Sequence, residues 1–223
     1  AALNQVRYNK RTKYAGFKTR GHFRYNLVYS IFCGKNKVPV KYANISKIKN
    51  ICKEAFAKYH RLLKNKVYVF IFPTSDIFTT KNMNGVSGIT LRKNVILIYI
   101  TPIRNWESEL KKTIAHESAH VLTNFYFYKS ITLRDGLVYE GVAEHFREYF
   151  VGGKRAPWTK AVTKKQAILL FKKLTNKLNS KKDKFYGEVF YGTGKYPLWA
   201  GYTIGYYIVE DYLKKQKKID WKE

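Results

Sequence analysis

Carboxylates are scarce in this chain. Fifteen Asp and Glu stand against forty-three Lys and Arg in 223 residues, a formal charge of +28, and no acid precedes Glu54. Such a surface attracts polyanions: nucleic acid, anionic lipid or an acidic cell-wall polymer. The cations are scattered along every segment, however, and no nucleic-acid-binding motif is present, so no specific nucleic acid is expected. An anionic surface (cell wall or membrane) met by the basic face, and an acidic peptide or protein substrate, are the partners the charge allows. Cysteine is as sparse. Cys33 and Cys52 cannot make a disulfide framework and lack metal-ligand spacing, which leaves either a single bond or free thiols. No apolar run approaches the roughly 18 residues of a membrane-spanning helix. No internal repeat is seen, which excludes a solenoid. No signal peptide is read, and the chain opens Ala1-Ala2 without methionine, as a processed product does. The expected location is secreted or cell envelope, with cytoplasmic as the alternative.

What is present is enough for one core, 45% of the residues being hydrophobic. Residues 1–20 form a basic arm, and 21–223 a single domain with an α/β lobe (21–128) and a helical lobe (129–223). A strand is expected at Phe23–Phe32. A helix follows over 44–63, with its stripe on Ile45, Ile48, Cys52, Phe56, Tyr59 and Leu63. Strands rich in β-branched residues are expected at 66–72, 85–90 and 94–100. After Thr101-Pro102 a helix starts near Trp106, with Glu107 and Glu109 suited to its N-terminal dipole. A helix opens at Thr132, a basic helix spans 160–178, a Gly- and Tyr-rich loop runs to Pro197, and a last helix ends near Lys215. Strands followed by helices mean α+β: a small β-sheet on the Trp106 helix, closed by a helical C-terminal lobe, with the cleft between the lobes.

The Trp106 helix carries His116-Glu117-Ser118-Ala119-His120. Histidines at i and i+4 share a helix face, so their ring nitrogens converge on one ion. Glu117 lies about 100° round the helix, beside such an ion, where a base takes a proton from water. Nineteen residues after His120 comes Glu140, with Glu144 one turn on, behind a Thr132/Asp135 capping box. Seven of the fifteen acids fall between Glu107 and Glu148, so a chance acidic face is a poor account of them. His116, His120 and Glu140 make three ligands and leave one tetrahedral position open, as a catalytic zinc requires. Glu144 suits the outer nitrogen of a ligand histidine.

These residues resemble the gluzincin class of zinc peptidases. Glu140-Gly141-Val142-Ala143 is similar to the NEGxA stretch of its aminopeptidase branch, with Tyr139 in place of the Asn, while the spacing to Glu140 is closer to the thermolysin branch. The nearest likeness is to the predicted zinc-dependent proteases of the YjaZ-like group, which pair a HExxH helix, an EGxAE helix and a late Gly-Tyr-x-x-Gly-Tyr helix. The corresponding segments are Thr113–Val121, Glu140–Phe146 and Ala200–Tyr212, and the likeness runs from about Val67 to Leu213. It implies a zincin-like fold and Zn²⁺. The absence of a GxMEN segment favours an endopeptidase over an aminopeptidase, and Thr123 and Tyr126 exclude the third histidine of the metzincins. Tyr202-Thr203-Ile204-Gly205 resembles a gluzincin Tyr-x-x-Gly, which implies Tyr202 facing the developing oxyanion. Tyr206 is its substitute and His145 a further donor, while Gly201 and Gly205 suit close helix packing. The function expected is a zinc-dependent peptidase with Glu117 as general base. The alternatives are a polyanion-binding domain with a vestigial zinc site and a zinc amidase acting on a cell-wall amide.

Overall fold

The computed structural model describes residues 45–221 apart from 102, 128, 129, 182 and 218. The basic arm, the Phe23–Phe32 strand and Cys33 lie outside the described residues.

The first helix, α1 (Ile45–Ala57), buries Ile48, Cys52 and Phe56. It ends six residues before the expected boundary, but the stripe continues through turns, and Tyr59 and Leu63 are buried as well. Three strands follow: β1 (Tyr68–Pro73), β2 (Val86–Arg92) and β3 (Val95–Ile100). Their order is β1-β3-β2, with β3 parallel to β1 and antiparallel to β2. The apolar run of β3 is buried at alternate positions (Ile96, Ile98, Ile100), so one face of the sheet meets the core. Between β1 and β2 lies a short helix, α2 (Ile77–Asn82), capped by Asp76, which accepts from the Thr79 amide.

The HExxH helix is α3 (Trp106–Leu122) and the Glu140 helix is α4 (Leu133–Val151), opened by the Thr132/Asp135 capping box as read. α5 (Lys164–Leu174) follows a 3₁₀ turn at Pro157–Lys160. The stretch expected as a Gly- and Tyr-rich loop holds a helix, α6 (Asp183–Tyr191), and α7 (Ala200–Leu213) ends the fold. Gly187 argued against a helix there; Val189 and Phe190, fully buried on one side of it, outweigh that propensity.

Two apolar clusters result, and α4 serves both. Ala143 and Phe146 join α1, the sheet and α3; Leu133 and Leu137 join α5, α6 and α7. α3 packs on α1, on the sheet and on α4, and α4 in turn packs on α7. The architecture is α+β, mostly helical, with a small three-stranded sheet on the HExxH helix.

Candidate metal centre

α3 and α4 lie side by side, so the one-turn repeat of each delivers its polar groups to a common point. His116 Nε2 and His120 Nε2 are 3.1 Å apart. Glu140 Oε2 lies 3.2 Å from the first and 3.5 Å from the second. Donors about 2.0–2.1 Å from a tetrahedral zinc stand roughly 3.3 Å apart, so the triangle has the size of that ion's ligand set. Among the described residues these three form the group able to hold a metal ion. Glu140 Oε2 is buried, and its polar neighbours are the two ring nitrogens, neither in hydrogen-bond geometry, an arrangement a shared cation would satisfy. Two imidazoles and a carboxylate fit zinc.

His116 and Glu140 are held from behind by hydrogen bonds, whereas the outer nitrogen of His120, Nδ1, is buried without one. Glu144, fully buried, places Oε1 2.8 Å from His116 Nδ1, the position read from the sequence. The same oxygen accepts from Trp158 Nε1 at 2.7 Å, and Oε2 accepts from Arg147 Nε at 3.0 Å. Burial would raise the Glu144 carboxyl, but the His116 hydrogen bond and the Arg147 charge hold it below the usual range. Glu140 gives its other oxygen to the Tyr186 hydroxyl at 3.3 Å. Burial opposes its ionisation too, yet the His120 and His116 rings hold it at about 2. For His116, burial favours the neutral ring, and the bonds and charges of Glu140 and Glu144 reverse this, raising it well above the imidazole range. His120 meets Phe125 edge-on at 4.7 Å, and Phe125 stacks on Tyr139 at 4.9 Å. Tyr139, which departs from the NEGxA pattern, thus backs Phe125.

Glu117 is 5% exposed. Its Oε2 accepts from Thr90 Oγ1 at 2.7 Å, which leaves Oε1 free of that bond. β2 comes this close because residue 88 is glycine: a Cβ there would stand 2.8 Å from Glu117 Cγ and 2.9 Å from Oε1. A cleft of about 350 Å³ opens here, with Gly88, Thr113, His116 and Glu117 on one side and Lys154, Trp158, Tyr191 and Tyr202 on the other.

Tyr202 reaches the cleft but does not stand alone. Its hydroxyl is directed at Tyr191, on α6, and burial lifts it well above the ordinary phenol range. Burial and the Glu140 charge push Tyr191 up to about 12, against the lowering effect of the Tyr202 hydrogen bond. Tyr191 lines the cleft with its ring edge towards solvent, while its hydroxyl lies on the inner side, within reach of Tyr202 and the Glu140 charge. Tyr206 is not a substitute, because its hydroxyl donates to Glu148 at 2.9 Å and Arg155 covers its ring at 3.8 Å. His145 bonds the Tyr206 carbonyl through Nε2 at 3.0 Å and stacks on that ring, so it is not directed to the site. Tyr186 and Tyr191 escaped the sequence reading because their helix read as loop, and Thr90 carried no signal. Arg147 was missed as well, although its place three residues after Glu144 was a signal for the pairing.

The family described as "Predicted Zn-dependent protease (DUF2268)" matches residues 48–223. The uncharacterized protein YjaZ of Bacillus subtilis (strain 168) is 34% identical over 92 residues, 40% of this chain and 35% of that protein. The chain thus spans about a third of that relative's length. An aminopeptidase N family protein from Idiomarina loihiensis superposes with a TM-score of 0.49 at 14% identity, covering 94% of this chain and 39% of its own.

Proposed function

This chain belongs to the family of predicted Zn-dependent proteases, and on that premise we propose that it is a zinc metallopeptidase of gluzincin type, an endopeptidase that cuts peptide bonds in the cleft beside His116. The observation that carries this is the buried His116/His120/Glu140 triangle, with edges of 3.1 to 3.5 Å.

His116 Nε2, His120 Nε2 and Glu140 Oε2 would hold the ion. Zinc there supplies Lewis acidity and a water that ionises near neutral pH. Glu144 keeps the His116 ring turned so that Nε2 faces the site. Thr90 fixes Glu117 by Oε2, so the proton removed from the attacking water goes to Oε1 and is then delivered to the departing amine. The phenols of Tyr202 and Tyr191 face the cleft, where a donor stabilises an oxyanion more than the starting carbonyl. The first phenol orients the second. The absence of a GxMEN segment, which would hold a free amino terminus, favours internal cleavage.

A peptide-library digest tests the reading. Glu117→Gln should retain zinc and lose at least about a thousandfold in kcat, and a chelator should abolish wild-type cleavage reversibly. Comparable cleavage by the zinc-loaded Glu117→Gln variant would remove Glu117 as the base. Chelator-insensitive cleavage would remove the metal.

A further inference from the structure

From residue 149 to residue 182 the chain runs without a single carboxylate and carries ten Lys or Arg. The first part of this stretch closes the cleft, and the second forms α5. One side of α5 buries Ala167 and Leu174 in the second core. The opposite side presents Lys165, Ile168, Leu169, Lys172 and Lys173, spaced to share one helical face. Ile168 and Leu169 are 48% and 51% exposed, side by side, and belong to neither apolar cluster. Next to them is a depression of about 380 Å³ lined by Leu170, Lys173, Lys177, Lys195 and Tyr196: three ammonium groups around an apolar floor, with no acid in the lining. Lys164, at the start of the helix, is paired with Asp211, whereas none of Lys165, Lys172, Lys173, Lys177 and Lys195 has a carboxylate partner among the described residues.

We propose that this face docks on an anionic phospholipid bilayer, with Ile168 and Leu169 entering the interfacial layer and the surrounding lysines meeting headgroup phosphates. Charge alone would fit any polyanion. The aliphatic pair decides between them: a phosphodiester or sulfated chain offers those two side chains nothing, whereas a bilayer surface removes them from water while the lysine stems snorkel to the phosphates. The depression beside Leu170 has both kinds of lining that a phospholipid head and its first methylenes require. Lysines near such a surface each add attraction that decays within a Debye length, so the contact is reversible and salt-dependent.

The test is sedimentation of the full chain with phosphatidylcholine vesicles, with and without phosphatidylglycerol, at low and physiological salt, with heparin binding measured alongside. The wild type should bind the mixed vesicles, ignore pure phosphatidylcholine, and weaken as salt rises. The double variant Ile168→Ser with Leu169→Ser keeps every charge, including the basic residues before position 25. It should lose roughly tenfold in partition to mixed vesicles, the weight of about two interfacial methylenes, at unchanged heparin affinity. Lys173→Glu with Lys177→Glu should weaken vesicle binding further. Partition of the serine variant equal to the wild type would overturn the proposal in favour of bare electrostatics, and so would wild-type binding to heparin but not to mixed vesicles. The thermal midpoint of each variant shows that it is folded, and none of these readouts depends on the metal.

Discussion

At the scale of single residues, the site is built from pairs in which one partner does nothing but orient the other. Thr90 is the simplest: its hydroxyl bonds both the Glu117 side chain and the Glu117 carbonyl, at 2.7 and 3.0 Å. Thr90→Val keeps the volume and removes the donor, freeing Glu117 to rotate from the position of a base. The expected outcome is a ten- to hundredfold fall in kcat on a peptide substrate with zinc content unchanged; an unaltered kcat would remove Thr90 from the machinery. Cys52 shows the opposite case, a group kept out of chemistry. Burial pushes its thiol up to about 12, well above the ordinary thiol range. The unfolded chain ionises it first, so its contribution to stability is whole below about pH 9 and is lost as the pH rises towards 12. Alkylation followed by peptide mapping should leave Cys52 unmodified in the native protein at pH 8 and label it in denaturant; native labelling would contradict the buried site.

At the scale of elements, the crossing of α4 and α7 matters most. A Cβ on Gly141 would stand 2.3 Å from the Gly205 carbonyl oxygen, and one on Gly205 would stand 2.1 Å from that of Leu137. These are backbone contacts that no rotamer relieves, so α7 can lie on α4 only with glycine at both positions. Gly205→Ala should therefore cost about 1–3 kcal/mol or more in denaturant unfolding, and it should move Tyr202 relative to Glu140 and depress turnover. A variant as stable and active as wild type would show that the crossing is looser than described. Much of this level was legible. The His116/His120 pair, the capping box at Thr132, the i, i+4 spacing of Glu140 and Glu144 and the packing role of Gly205 all follow from periodicity. What was not legible depends on neighbours distant in sequence. α6 hid behind Gly187, and with it went Tyr186 and Tyr191. Tyr206 could not be told from Tyr202 until Glu148 and Arg155 were seen to engage it.

At the scale of the whole molecule, one helix joins two cores, and the proposed metal ligands sit at that junction. α3 belongs to the sheet side and α4 to both, so an ion held by His116, His120 and Glu140 ties the two apolar clusters together. Zinc at a hundredfold excess over its Kd should stabilise the fold by about 2.7 kcal/mol, which for a chain of this size is roughly 5–10 °C in Tm. His120→Ala should lose that shift, and an equal shift in the variant would place the ion elsewhere. The α+β class was readable because the β-branched strands are confined to the segment before Trp106 and the rest of the chain carries helical periodicity. The charge of +28 was equally visible, but only the structure showed that its acid-free stretch carries two exposed aliphatics.

The measurement closest to the centre of this account is the zinc content of the dialysed protein, compared with that of His116→Ala, His120→Ala and Glu140→Ala. One zinc per chain in the wild type and a large loss in each variant is the expected result. A wild type that retains no zinc after loading, or a Glu140→Ala variant that holds it as tightly, would contradict the joint grip of the two helices.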